Sequence, residues 1–446
     1  MGKINRREFV KKTSTATAAA SLAATMIGPK TWAGANDKIR AACVGIRGQG
    51  RSHIRGLQRV PGVEVVALCD VDESVISESL KDFEDKGWKK PKTYTDIRKL
   101  LENKNIDVVS FATPNHWHAL GTIWACQAGK DVYVEKPASH NIWEGRKMVE
   151  AARKYNRIVQ NGLQIRSSIA VQAAVEFLQS GQLGEVYMAK GLCYKWRNTI
   201  DKTPDEPVPP GIHYDIWLGP APQRPFSKNR FHYNWHWHWD YGNGDIGNQG
   251  VHQLDVARWG LGLNEHPVKV SSMGGHMMFD DDQETPNVQH AIYEYPCKNA
   301  GGDKKKILQF EVRPWITNHE GGIGEGPGNT VGIIFYGSEG YLVVDSYNSW
   351  HTFMGRDRIP GPNADAGGSH WKNFIDAVRA RDYKLLNCDI EEGHKSAVLN
   401  HLAMISYRLG KELSFDPKSE TFLNDKEANA MVSRNYRSPY IVPKVV

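Results

Sequence analysis

The chain of 446 residues carries 56 Lys and Arg against 50 Asp and Glu, a formal net charge of +6. The surplus is confined to the start: residues 1–35 hold six basic residues (Lys3, Arg6, Arg7, Lys11, Lys12, Lys30) and one acid, Glu8, so the remainder balances 50 against 49. A near-neutral body gives no electrostatic reason to invoke nucleic acid, and the absence of a long apolar run beyond the start gives none to expect a membrane anchor.

In chain order, the first feature is Asn5-Arg6-Arg7-Glu8-Phe9-Val10-Lys11, then an Ala/Thr/Ser-rich run and Trp32-Ala33-Gly34-Ala35. Paired arginines, a weakly apolar stretch and a small-x-small site are the pattern of a bacterial twin-arginine signal, with cleavage expected near Ala35 and the mature protein expected in the periplasm. The 411 residues that follow exceed what one core usually accommodates. Two domains are expected, over residues 36–162 and 163–446. The six cysteines (Cys43, Cys69, Cys126, Cys193, Cys297, Cys388) show no CxxC pair, and Cys43 and Cys69 fall inside expected buried strands as small core residues.

From Ile39 short Val/Ile-rich runs alternate with helical patterns. Ile39 to Gly45, Val63 to Asp70, Ile106 to Thr113, Asp131 to Glu135 and Ile158 to Gly162 read as strands apolar on both faces. Ile97, Leu100 and Leu101 mark a helix between them, and Asn141 with Glu144 reads as a capping box before Met148, Val149 and Ala152. This βαβ alternation predicts a doubly wound parallel sheet, hence an α/β fold with a Rossmann-type first domain.

The first strand runs into Gly45-Ile46-Arg47-Gly48-Gln49-Gly50, where glycines at a strand-to-helix turn let backbone amides approach a pyrophosphate at the positive helix end. The middle glycine of the usual fingerprint is replaced by Arg47. Asp70, at the end of the second strand, is placed to hold ribose hydroxyls, and with Asp72 it would repel a 2′-phosphate, favouring NAD over NADP. Two further segments end strands at the same edge: Ala112-Thr113-Pro114-Asn115-His116-Trp117-His118 and Glu135-Lys136-Pro137. Ligands bind at that edge in open α/β sheets.

Past Gly162, alternating runs at Val268 to Met273, Val288 to Tyr295 and Ile307 to Val312, and a hairpin of Val331 to Tyr336 with Tyr341 to Asp345 across Gly337-Ser-Glu-Gly, predict a mainly antiparallel open sheet. Helices are expected over His370 to Arg381 and Glu391 to Leu409. Between lies the densest chemistry, Arg230-Phe-His-Tyr-Asn-Trp-His-Trp-His-Trp-Asp240 and Gly244-Asp-Ile-Gly-Asn248-Gln-Gly-Val-His252-Gln-Leu-Asp255. As a strand the first segment would put His236 and His238 on one face and Trp235, Trp237 and Trp239 on the other. His232, His236, His238, Asp240 and Asp245 are zinc-type ligand groups, but no recognised ligand spacing is present and no metal is assigned.

The glycine turn, the Thr113 and Asn115 loop and Glu135-Lys136-Pro137 together resemble the Gfo/Idh/MocA family, the group of glucose-fructose oxidoreductase and inositol dehydrogenase, over nearly the whole chain from Ile39. The resemblance implies NAD held by Gly45, Arg47, Gly48, Gly50, Asp70, Thr113, Asn115, His118, Glu135 and Lys136. It implies a carbohydrate substrate met by Arg166, Trp235, His236, Asn248 and His252, and Lys136 and His252 as catalytic residues. The family commonly places an aspartate four residues before that histidine. Asn248 stands there instead, which removes a charge and the ground for a proton relay through that side chain, although a neutral amide can still bind a hydroxyl.

The implied reaction is hydride transfer from a sugar or glycoside carbinol to NAD, with the cofactor bound before export and recycled in place. Two alternatives accompany it: an NAD-dependent glycoside hydrolase using transient oxidation and elimination, and a non-catalytic saccharide-binding protein. A homo-oligomer, dimer or tetramer, is expected from the resemblance.

Overall fold

A computed structural model describes residues 38–296, 304–315, 318–324 and 328–446. The segment read as an export signal and Cys297 lie outside the described residues.

Six strands, β1 (Ile39–Val44), β2 (Val63–Cys69), β3 (Lys92–Tyr94), β4 (Val108–Phe111), β5 (Asp131–Val134) and β6 (Val159–Asn161), form a parallel sheet in the order β3-β2-β1-β4-β5-β6. β4 and β5 are buried along their whole length, as strands covered by helices on both faces must be. The order reverses between β1 and β4, and that switch point opens a crevice at the carboxyl edge. β3 escapes the sequence pattern because it is a three-residue edge strand with no fully buried residue.

The helix Ile142–Lys154 begins as its sequence dictates. Asn141 Oδ1 accepts from the Glu144 amide at 2.9 Å, while Glu144 Oε2 accepts from the His140 amide at 3.1 Å, one residue earlier than in the standard reciprocal box.

The second sheet contains β7 (Val186–Tyr194), β8 (Lys269–Gly275), β9 (Val288–Pro296), β10 (Lys305–Arg313), β11 (Thr330–Gly337), β12 (Gly340–Val344), β13 (Ser349–Met354), β14 (Ile359–Asp365), β15 (Leu413–Asp416) and β16 (Thr421–Phe422). Among the described residues it is antiparallel except where β10 runs parallel to β7. The hairpin forms as expected, with Gly337 opposite Gly340. β7 is the strand the sequence conceals: Lys190 and Gly191 interrupt its apolar run, and its place is fixed by β10 and β11 on either side.

The helix Ile390–Leu409 is buried around nearly its whole circumference and packs against the helix Ile142–Lys154, β8 and the helix Gly250–Gly260. It therefore couples the two sheets through apolar contact. The C-terminal residues Tyr440, Val442 and Val446 return to the core of the parallel sheet, beside Leu120 and Ile123. Cys43, Cys69, Cys126, Cys193 and Cys388 are buried free thiols.

Candidate functional site

A cavity of about 490 Å³ lies along the carboxyl edge of the parallel sheet, and its wall includes Gly45, Arg47, Gly48, Asp70, Thr113, Asn115, Glu135, Lys136, Trp235, His236, Asn248 and His252. One end is built by the β1 turn. Gly45 and Gly48 take positive φ of 73° and 48°, where a side chain is strained. A Cβ on Gly45 would stand 2.8 Å from Ala112 O, whereas one on Gly48 would meet nothing within 4 Å. The turn thus presses against β4 on one side and leaves open space on the other. The helix Gln49–Gln58 starts there with no side-chain cap, its Gly50 and Arg51 amides closing the turn on Arg47 O and Gly48 O (2.9 and 3.1 Å), and its positive end lies beside that space.

Asp70 braces the same turn: its Oδ2 accepts from the Ile46 amide at 2.8 Å and its Oδ1 from the Asp72 amide at 3.1 Å. Burial pushes its pKa up to about 6 against these two bonds.

The other end brings residues of both sheets together. Lys136, just past β5, donates from Nζ to Asn248 O at 2.7 Å and to Asn248 Oδ1 at 3.2 Å. Asn248 closes the short helix Gly244–Asn248, and His252 lies one turn further on, in the helix Gly250–Gly260. His252 Nδ1 is buried with no hydrogen-bond partner among the described residues. Burial first, and then the Lys136 and Lys195 charges, bring the His252 pKa down to about 3, with Glu135 opposing. Burial likewise lowers Lys136, assisted by Lys195 and Arg197 and opposed by Glu135 and Asp245. His236 stacks on Trp235 with ring centroids 3.6 Å apart, and burial beside Lys136 holds its pKa well below the ordinary imidazole value.

Glu135 is the hub between the ends. Its Oε1 faces Gln49 Nε2 (3.1 Å), His53 Nε2 (3.1 Å) and Gln164 Nε2 (3.0 Å), and its Oε2 accepts from the Lys136 amide. Burial alone would raise this carboxyl, but the His53 contact and the nearby Lys136 charge bring it down to about 2. Sequence reasoning missed Gln164, Lys195, Gln249 and Tyr347, all of which line the cavity. Gln164 had a signal, since it follows β6 at the same carboxyl edge. Lys195 follows β7, whose pattern was concealed, and Tyr347 lies in the loop between β12 and β13.

Three expected contacts lie elsewhere. Gly50 is behind the turn, where a Cβ would fall 1.9 Å from Gly45 O, so its role is backbone packing. His118 is buried with Nδ1 2.8 Å from Pro137 O and Nε2 2.9 Å from Thr113 O, tying the two strand-end loops together from outside the cavity wall. Arg166 is buried in a bidentate pair with Asp255 (2.8 to 3.0 Å) and also reaches Glu392 at 3.3 Å. Arg166→Ala is expected to cost about 3 kcal/mol by stripping buried Asp255 of its bidentate partner and leaving it Ser396 Oγ and Arg258 at 3.8 Å, measured as a lower denaturant midpoint; a substrate contact would instead raise KM at unchanged stability.

The Trp/His alternation does not form a strand. Residues Asn234–Trp237 make a 3₁₀ turn, with His238 N bonded to Trp235 O at 3.2 Å, while Trp237 O accepts from the Glu284 and Thr285 amides at 2.9 and 3.1 Å. The metal-type side chains there diverge: His232 to Asp72, His236 to Tyr233 O, His238 to Asn229 O, Asp240 to Arg224 and Asp245 to Arg197. His266 and His394 converge on Glu420, which also binds Arg146 and is thereby an ion-paired cluster.

The cavity fits a dinucleotide on its own chemistry. The turn offers open space at the positive end of a helix, Asp70 offers a carboxylate for ribose hydroxyls, and Ile97, Ile216 and Trp217 supply an apolar wall for a base. Thr113 Oγ1 and Asn115 Oδ1 are buried in that wall without partners among the described residues. Asp70→Ala is expected to weaken NAD binding about 10- to 100-fold, the worth of hydrogen bonds to a charged group, and to narrow the preference over NADP. In the native protein, NAD affinity falls as pH drops through about 6, because a carboxyl with a raised pKa is protonated below it. Titration of nucleotide-stripped protein checks both.

Comparison with known proteins agrees with this architecture. Residues 39–163 match the family model described as "Oxidoreductase family, NAD-binding Rossmann fold", and residues 169–297 with 357–442 match "Oxidoreductase family, C-terminal alpha/beta domain". A glycosyl hydrolase family 109 protein of Shewanella baltica (strain OS185) is 30% identical over 174 residues, and one of Shewanella pealeana is 32% identical over 122. These matches span 34% and 26% of this chain and only 38% and 27% of the relatives' lengths. The WlbA dehydrogenase from Bordetella pertussis, solved with NADH and UDP-GlcNAcA, superposes with a TM-score of 0.62 at 18% identity, over 85% of this chain and 99% of that one. Levoglucosan dehydrogenase with NADH and levoglucosan gives 0.63 at 17%, over 84% and 99%. At such identities these structures speak for the fold. With both its parts matched by the family models, the chain belongs to the Gfo/Idh/MocA family of oxidoreductases, with an NAD-binding Rossmann fold as its first part.

Proposed function

We propose that this protein oxidises a hydroxyl of a sugar or glycoside, using NAD that it holds tightly and restores within each catalytic cycle by passing the hydride on to the carbonyl of a second sugar. The observation that carries the reading is that Lys136, Asn248 and His252 meet in the same cavity as the glycine turn and Asp70. NAD, when bound, supplies the acceptor for the hydride of the carbinol C–H. The protein supplies the rest. His252, uncharged at neutral pH and part of the cavity wall, takes the hydroxyl proton. Lys136 has three N–H donors, of which Asn248 engages two, leaving one for the substrate oxygen as it becomes a carbonyl. Asn248 orients the ammonium without adding a second negative charge beside it. Trp235 and His236 offer ring faces to sugar C–H groups.

The paired arginines of the N-terminal segment support export with the nucleotide already bound, since free nicotinamide cofactor is not expected outside the cytoplasm. The glycosyl hydrolase family 109 relatives favour a second reading, in which transient oxidation leads to glycosidic elimination and reduction then restores the cofactor. Mass spectrometry of the nucleotide released on denaturing the purified protein, combined with product analysis of glycosides incubated with intact protein, tests these readings. Retained NAD and an oxidised sugar support the first, and a free aglycone with no net oxidation supports the second. Saccharide binding without either product would make the protein a binding module.

A further inference from the structure

Lys195 stands one residue beyond β7 and points its ammonium into the reaction end of the cavity, where Nζ donates to Gln249 Oε1 at 3.0 Å. Lys136 donates to the adjacent residue, Asn248. Two ammonium groups from different sheets thus rest on consecutive amides, and among the described residues neither is in ion-pair contact with a carboxylate. The nearby acids are engaged elsewhere: Asp245 is held by a bidentate Arg197, and Glu135 by Gln49, His53 and Gln164. Asn248 stands where a carboxylate would have balanced one of the two lysines, and a bound NAD⁺ ring would add a further positive charge.

The donors around Lys195 are fixed in direction. Gln249 Nε2 donates to Tyr347 OH at 3.1 Å, which turns Gln249 Oε1 toward Lys195 and leaves the phenol proton free to donate. The Tyr347 ring lies 5.3 Å from that of His252. Lys195 retains two N–H groups and Tyr347 one O–H, and both groups rest on the one Gln249 side-chain amide, a charged and a neutral donor of the kind a carboxylate takes.

We propose that Lys195 and Tyr347 bind a carboxylate on the substrate, so that the sugar oxidised here is a uronate or another sugar acid. The inference rests on reading the cavity as the sugar site and names the substrate class that fills it. An anion at Lys195 also addresses the chemistry. The Lys195 charge is one of the groups that depress His252, so neutralising it raises the basicity of that imidazole when substrate binds.

Isothermal titration of NAD⁺-loaded protein with methyl glucuronide, galacturonide and mannuronide, each beside its neutral methyl glycoside, tests this without requiring turnover. At least one uronate is expected to bind about 10- to 100-fold more tightly than its neutral counterpart, as a hydrogen-bonded charge contact would give. The ratio falls at high salt, collapses in Lys195→Gln and persists in Lys195→Arg, which also guards against a variant that fails to fold. Uronates that bind no better than neutral glycosides, or a preference that survives Lys195→Gln, overturn the proposal. So does tighter binding of the matching sugar phosphates. Failure of every bound sugar to be oxidised would count against the catalytic reading, while the uronate ratio would still stand or fall on binding alone.

Discussion

Lys136→Met is expected to lower kcat/KM for glycoside oxidation about 10²- to 10³-fold, the usual cost of removing one donor aimed at developing negative charge. Methionine keeps the length and apolar stem of lysine, so the cavity wall is preserved while the donor is lost. The loss should appear in kcat more than in KM, because the oxygen gains its charge only along the reaction. NAD retention should change little, since the glycine turn and Asp70 lie at the opposite end of the cavity and Glu135 keeps its bonds to Gln49, His53 and Gln164. A variant that loses nucleotide together with activity would place Lys136 in cofactor binding instead.

His252→Ala is expected to cost about 10²- to 10⁴-fold in kcat, the range for a positioned general base. The pH profile separates this role from a packing role. A histidine whose pKa is depressed to about 3 is neutral above that value, so in the native protein, with NAD kept saturating against the Asp70 titration, kcat/KM for a neutral glycoside shows no acid limb between about pH 5 and 8. The alkaline limb belongs to Lys136: with a lowered pKa it loses its proton at a lower pH than an exposed lysine, and activity falls as it does. Lys136→Met relieves one of the charges that depress His252, so its residual activity acquires an acid limb displaced upward. An acid limb near the ordinary histidine pKa in the native protein would contradict the neutral, buried base.

The cofactor end of the site was legible in the sequence because it depends on local chain geometry. Gly45 and Gly48 are required by positive φ, and Asp70 is fixed by its place at the end of β2. Five strands of the parallel sheet could be read because burial on both faces leaves continuous Val/Ile runs. At the reaction end the sequence showed Lys136, Asn248 and His252 through their motifs and Trp235 and His236 through their dense aromatic and imidazole segment.

What eluded the sequence depends on long-range placement. Arg166 stands among the substrate contacts that the resemblance implies, but the fold brings Asp255 against it, 89 residues away. His118 reads as part of a strand-end loop facing ligand, yet its neighbours turn it toward two backbone carbonyls. The Trp235 to Trp239 alternation has the period of a strand, but the chain closes a 3₁₀ turn over Asn234–Trp237 and meets the Glu284 and Thr285 amides only at Trp237 O. Lys195 and Tyr347 reach the cavity only because β7 is enclosed by β10 and β11 and because β12 and β13 place their loop beside His252.

The most direct test of the account is a single-turnover experiment on NAD⁺-loaded protein with glycosides deuterated at each ring carbinol carbon in turn, followed by mass spectrometry of the released nucleotide. Deuterium is expected in the nicotinamide from one labelled position only, with transfer slowed about 10²-fold or more in both His252→Ala and Lys136→Met. Sugar bound in the cavity with no deuterium reaching the nicotinamide from any position would contradict it.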